Sequence, residues 1–262
     1  MLPKSLVSLC FGLACITYWL IYRARRRHDY HQITLASAMK HMKTGDLILF
    51  SGRDFSGNGI VNKAGRALFL SITYLYRGLE ASEWGHVAVV YKDDKKNLYL
   101  MHSVMHSAQP DLFSQDMVPG VQVNALEPIV NAYRGYCLWR PINKALPSDK
   151  VMQFLKRTFH QNYSIPLDIW KRFLERWTGQ KYGMCHSNDD SHKADNQGSF
   201  CSEWVGTLLE YCEVFDKTRR PVNGYYFPGD FTVKRSQTFL PPSRRYDYPS
   251  EGLEIVTDVT DT

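Results

Sequence analysis

Ser199-Phe200-Cys201-Ser202-Glu203-Trp204-Val205 opens a helical pattern in which Val205, Leu208, Leu209 and Cys212 return at three- and four-residue spacing, the mark of one buried helix face. Cys201 stands at the start of that face, with Ser199 placed to cap the helix. A thiol there meets unpaired backbone N–H groups and the positive end of the helix dipole, and both favour thiolate. The competing reading is a small buried core cysteine. Far away in sequence, Trp84-Gly85-His86-Val87-Ala88-Val89-Val90 puts a histidine at the first position of a strong strand. A cysteine opening a helix and a histidine opening a strand, distant in sequence, is how a fold joins a thiol to an imidazole.

The strand from His86 to Tyr91 runs into the polar turn Asp93-Asp94-Lys95-Lys96 and returns along Asn97 to Val104. A turn centred on Asp94 sets His86 directly opposite His102, with Cβ atoms about 5 Å apart on one face. Such a pair also suits plain packing or a metal. Upstream, Thr34 to Met42 suggests a helix, and Gly45-Asp46-Leu47-Ile48-Leu49-Phe50 reads as a turn followed by a buried strand. Asp46 suits a bracket for backbone donors at that turn, with a catalytic carboxylate as the alternative. Ile60 to Leu79 keeps a helical period.

Downstream, Val121–Leu126 and Tyr136–Ile142 read as strands joined by a turn or short helix, and Ser148 as the cap of a helix buried through Val151, Phe154, Leu155 and Phe159. Residues 168 to 177 form an aromatic and basic amphipathic segment, suited to a core-packed helix or to lipid headgroups. Cys185, His186 and His192 lie in the polar stretch before Cys201, but their spacing matches no usual structural zinc pattern. That stretch reads as a loop over the active site. Pro221, Gly224 and Pro228-Gly229-Asp230-Phe231 form a rigid return.

The net charge of +6 is concentrated at the start: Lys4, Arg23, Arg25, Arg26 and Arg27 supply five of those charges. The remainder is close to neutral, which argues against a nucleic-acid groove. Leu6 to Tyr22 is uncharged and mostly apolar; as a helix it spans roughly 25 Å, the short end of what crosses a bilayer. With Tyr18, Trp19 and Tyr22 at its end, arginines following it, and no small-residue cleavage site, it reads as an uncleaved membrane anchor with the following domain on the cytoplasmic face. The six cysteines show no paired spacing, and a reducing compartment would keep them as thiols. The expected organisation is an anchor over 1–27, a linker over 28–43, a catalytic domain over 44–234 and an extended, partly disordered tail over 235–262. Glu251 to Thr262, with four acidic residues, reads as frayed.

With those residues in place, the chain resembles the circularly permuted papain-fold cysteine hydrolases of the NlpC-like superfamily. The resemblance rests on Gly45-Asp46-Leu47-Ile48-Leu49-Phe50, Gly85-His86-Val87-Ala88-Val89-Val90 and Phe200-Cys201-Ser202-Glu203-Trp204-Val205, with Pro228-Gly229-Asp230-Phe231 as a weaker fourth piece. It covers residues 43 to about 232, with the histidine strands before the cysteine helix instead of after it. The resemblance implies an α+β fold, an antiparallel sheet or partial barrel packed on the nucleophile helix, here preceded by one transmembrane helix. It implies Cys201 as nucleophile, His86 as base and His102 as the third polar residue. Permuted members often carry glutamate at that third place; histidine there is the habit of the sister lecithin:retinol acyltransferase-like proteins, whereas the cysteine context is closer to the hydrolases.

The expected function is a membrane-anchored thiol hydrolase cleaving an amide, peptide or isopeptide bond through a thioester, from a Cys201–His86 ion pair. A lipid acyltransferase or phospholipase of the same fold is the first alternative. A catalytically silent, membrane-tethered binding module is the second. The chemistry requires no cofactor and no metal, and the expected partners are the lipid bilayer and an acyl substrate.

Overall fold

In the computed structural model, residues 30–51, 82–105, 109–117, 119–159, 161–162, 199–221, 225–240, 245–248 and 252–257 are described. The expected helix over 60–79, the amphipathic segment 168–177 and the Cys185–His192 stretch lie outside them. The elements are β1 (Gln32–Thr34), α1 (Leu35–His41), β2 (Leu47–Phe50), β3 (His86–Lys92), β4 (Leu98–Val104), β5 (Gly120–Ala125), α2 (Leu126–Ala132), β6 (Cys137–Arg140), α3 (Ser148–Thr158), α4 (Cys201–Tyr211), α5 (Val233–Ser236) and β7 (Leu253–Val256). Short 3-10 turns lie at Lys217–Arg219 and Pro228–Phe231.

The α+β class holds, but the sheet is mixed instead of wholly antiparallel. Seven strands run in the order β1-β7-β6-β2-β3-β4-β5, and β1 pairs with β7 in parallel. The expected frayed tail is corrected at this point: Leu253–Val256 lies inside the sheet, between β1 and β6. Two distant strands supply its backbone partners, which local acidity does not reveal. The sheet therefore extends beyond residues 44–234 at both ends.

Alternation along the central strands divides the core in two. Leu47, Leu49, Val87, Val89, Met101 and Val123 face α3 and α4, meeting Val151, Leu155, Trp204, Val205 and Leu208. Ile48, Phe50, Ala88, Val90 and Leu100 face α1 and α2, meeting Leu35, Ala38, Leu126 and Val130. With helices on both faces, β2 is buried along its whole length, as its unbroken apolar run suggests.

Two helix starts differ from expectation. Pro147 is the N-cap of α3 and Ser148 its first residue; Phe200 is the N-cap of α4, with no side-chain cap at either. The expected membrane anchor is also corrected. Among the described residues no helix is long and apolar enough to cross a membrane. Leu6–Tyr22 lies outside those residues, so neither the anchor nor a single-pass membrane location has support.

Asp46 is the bracket of the β2 turn. Its Oδ1 accepts the Ile142 N–H at 2.9 Å, and its Oδ2 accepts the Trp139 indole N–H at 2.8 Å and the Lys43 N–H at 3.1 Å. Burial nevertheless raises its pKa above the ordinary carboxylate value. Gly45 beside it sits at φ +101°, and a Cβ there would lie 2.5 Å from Leu146 Cγ. Asp46→Ala removes an acceptor from three donors at once. Urea unfolding is expected to show a loss of about 2–4 kcal/mol with an unchanged slope.

Candidate active site

The site forms where β3 and β4 part. Their ladder joins Val89–Lys92 to Leu98–Met101 and goes no further. On the outer sides, β2 holds β3 as far as the Phe50–His86 pair, and β5 holds β4 as far as Val104. The opening between them is thus framed by paired strands.

The register differs from the expected one by two residues. Val89 faces Met101, which would bring Ala88, not His86, opposite His102. The turn sets this register: Lys96 adopts φ 67° and the Asp93 carboxylate accepts the Asn97 N–H at 2.7 Å. Because strand side chains alternate with period two, a two-residue shift keeps both histidines on the same face. They meet diagonally, with His86 Nε2 2.9 Å from His102 Nδ1 and ring centroids 5.1 Å apart.

The start of α4 fills the opening. Val90 N–H bonds Asp46 O on β2, so alternation turns Val87 N–H the other way, toward β4. Among the described strands none takes it up there, and it points at the Cys201 sulfur. Ser103, on the β4 side, donates its hydroxyl to the Ser199 carbonyl at 2.7 Å. Cys201 is therefore lodged against the residue that follows His86 in β3. Its own N–H and that of Ser202 also favour the thiolate, as helix-terminal donors should. The Ser202 hydroxyl lies near the sulfur too, but gives its proton to Tyr226 O at 2.8 Å. That bond ties α4 to the extended residues 225–227 leading into Pro228–Phe231, where Asp230 accepts the Phe227 N–H at 2.8 Å.

Burial sets the charge state. Cys201 is only 3% exposed, and desolvation outweighs the surrounding donors, pushing the thiol up to about 11. Burial and the neighbouring His102 hold His86 well below the ordinary imidazole value. Burial brings His102 down to about 4. At rest, burial thus favours an un-ionised thiol and neutral imidazoles over the charged forms an ion pair needs. The physical reason is that the helix terminus offers partial charges, whereas burial removes a full charge from water.

Sequence reasoning missed Asn124 and Asp111. Asn124 Oδ1 lies 2.9 Å from His102 Nε2, and its amide nitrogen donates to Pro110 O at 2.9 Å and Gln109 O at 3.3 Å. Asp111 accepts the N–H groups of Phe113, Ser114 and Val123, fixing that loop on β5. The only local signal was Asn124 on the His102 face of a strand that follows a Pro-Asp turn. Among the described residues no cluster of histidine, cysteine and acidic side chains suits a metal ion.

No protein-family model matches this sequence, and no curated protein matches it. One measurement checks the resting charge state: the difference in ultraviolet thiolate absorbance between the native chain and Cys201→Ser. With the thiol's pKa raised, this difference is expected to stay flat from about pH 5 to about pH 9 and to rise only above that range. A step in the acid range would instead reveal a resting ion pair.

Proposed function

We propose that this protein is a cysteine-dependent acyl-transfer enzyme of permuted papain-like architecture, a thiol hydrolase acting on an amide, peptide or isopeptide bond. The observation that carries this reading is the placement of a helix-opening thiol against the strand that begins with His86, with His86 in turn bonded to His102. The resemblance of the three quoted motifs supports it.

In this reading His86 removes the Cys201 proton as the sulfur attacks the substrate carbonyl, since the resting thiol is un-ionised. The carbon–sulfur bond forms, the carbonyl π electrons move to oxygen, and backbone donors at the α4 start hold the oxyanion. Loss of one such donor typically costs about 3 kcal/mol of barrier. His86 returns the proton to the leaving nitrogen as the tetrahedral adduct collapses to a thioester. Water, deprotonated by His86, then releases the acid and restores the thiol.

A second reading, acyl transfer or hydrolysis on a lipid ester, is favoured by a separate observation. Leu112, Phe113 and Met117 are exposed on the loop whose carbonyls hold Asn124, apolar side chains suited to meeting an acyl chain. The silent binding module stands as the outcome in which no chemistry is found.

Incubation of the full chain with an electrophilic acyl probe is expected to label Cys201 ahead of Cys137 and Cys212. His86→Ala should slow that labelling by roughly 10²-fold or more. Labelling of Cys201 no faster than that of the chain's other five cysteines would remove the enzyme reading. Release of an amine from peptide amides supports the first substrate class, and release of fatty acid alone from phospholipid vesicles supports the second.

A further inference from the structure

We propose that Asn124 is the positioning residue that decides which ring nitrogen of His86 carries the proton. The inference builds on the assignment of His86 as the base, and adds the device that makes it one.

The argument runs from groups whose roles admit no choice. The carbonyl oxygens of Gln109 and Pro110 only accept, so the Asn124 side chain turns its NH2 toward them, at 3.3 and 2.9 Å. Its Oδ1 therefore faces His102 Nε2 at 2.9 Å. That oxygen also only accepts, so His102 Nε2 carries a hydrogen. A neutral imidazole has one N–H, so His102 Nδ1 holds a lone pair. His86 Nε2, 2.9 Å away, must supply the hydrogen between them. Neutral His86 is thereby left with its lone pair on Nδ1. The polarity of two backbone carbonyls has been carried through three side chains to His86 Nδ1, the ring nitrogen turned away from His102 and so the one the base role requires.

All three side chains of this relay are buried: Asn124 is fully so, and both histidines are 3% exposed. Water therefore does not scramble the tautomers. The charged group facing His102 is Asp111, from the neighbouring loop. Its carboxylate is engaged by the N–H groups of Phe113, Ser114 and Val123, so it fixes the two carbonyls in place instead of bonding an imidazole. The isosteric change Asn124→Asp reverses the relay. A carboxylate beside Nε2 favours a doubly protonated His102, whose Nδ1–H then donates to His86 Nε2. The neutral His86 proton must move to Nδ1, and the lone pair is lost from the base position.

The test is nitrogen NMR of the histidine rings in the full chain at neutral pH. In the native protein His86 Nδ1 is expected at the shift of an unprotonated ring nitrogen and Nε2 at that of a protonated one. Asn124→Asp is expected to exchange those two signals, and Asn124→Ala to give a mixture. Turnover with an acyl substrate should fall at least about 10-fold in Asn124→Asp with little change in KM, as loss of a base requires. A native His86 protonated on Nδ1, or an Asn124→Asp variant with native His86 signals, overturns the proposal. Because the spectra need no turnover, native signals without any activity would discard the enzyme reading yet uphold this positioning role. An active enzyme with unmoved signals in both variants would do the reverse.

Discussion

The structure depends on a strand pair that does not close. Val87 and Ser103 lie where the β3–β4 ladder would continue, and a continued ladder would occupy their backbone groups in strand bonds. Instead, the Val87 N–H points at the Cys201 sulfur, and beside it the Ser103 side chain bonds the Ser199 carbonyl through its hydroxyl. A buried backbone donor left without a partner costs roughly 1–3 kcal/mol, so the opening requires something to fill it. The first turn of α4 does so, which locates the thiol from both sides. The outer pairings of β3 with β2 and of β4 with β5 keep the frame open without unravelling the sheet.

This dependence explains what was legible in the sequence. A cysteine at the head of a helical pattern and a histidine at the head of a valine-rich strand are local signals, and both elements stand where the pattern puts them, with α4 beginning at Cys201 and β3 at His86. The face shared by His86 and His102 survived an error of register, because alternation distinguishes only odd shifts from even ones. The register itself did not, since it depends on Lys96 entering a left-handed conformation that lysine rarely adopts. Ser199 looked like a cap because of its side chain, but its contribution is a carbonyl, which every residue has. Leu253–Val256 was hidden for a related reason: four residues acquire strand character from β1 and β6, more than a hundred positions away.

Asn124 and Asp111 were illegible in another sense. Nothing about an asparagine in a strand, or an aspartate after a proline, predicts that a loop will fold back to present two carbonyls to the one, and that the other will gather two N–H groups from its own loop and a third from β5. Those contacts are purely tertiary. The same is true of the charge state. From sequence, the helix terminus was the visible influence on Cys201; the burial that outweighs it comes from elements far along the chain. The partial charges at a helix end are worth about 1 kcal/mol or so, while withholding water from a thiolate costs more.

A site at rest without formal charge places particular demands on its third residue. A carboxylate at position 102 would bring an anion against the Asn124 oxygen, two acceptors with no hydrogen between them, because the Asn124 NH2 is already given to the two carbonyls behind it. It could be accommodated only by turning the asparagine, which would then point its oxygen at Gln109 and Pro110. A neutral imidazole meets the demand because it is a rigid ring with one donor and one acceptor at opposite positions. It can take polarity in at Nε2 and pass it out at Nδ1 without storing charge between. Histidine at this position and the carbonyl-bearing loop are thus complementary parts of one arrangement: given the loop, the ring fits, and given the ring, the lone pair of His86 has only one nitrogen on which to sit.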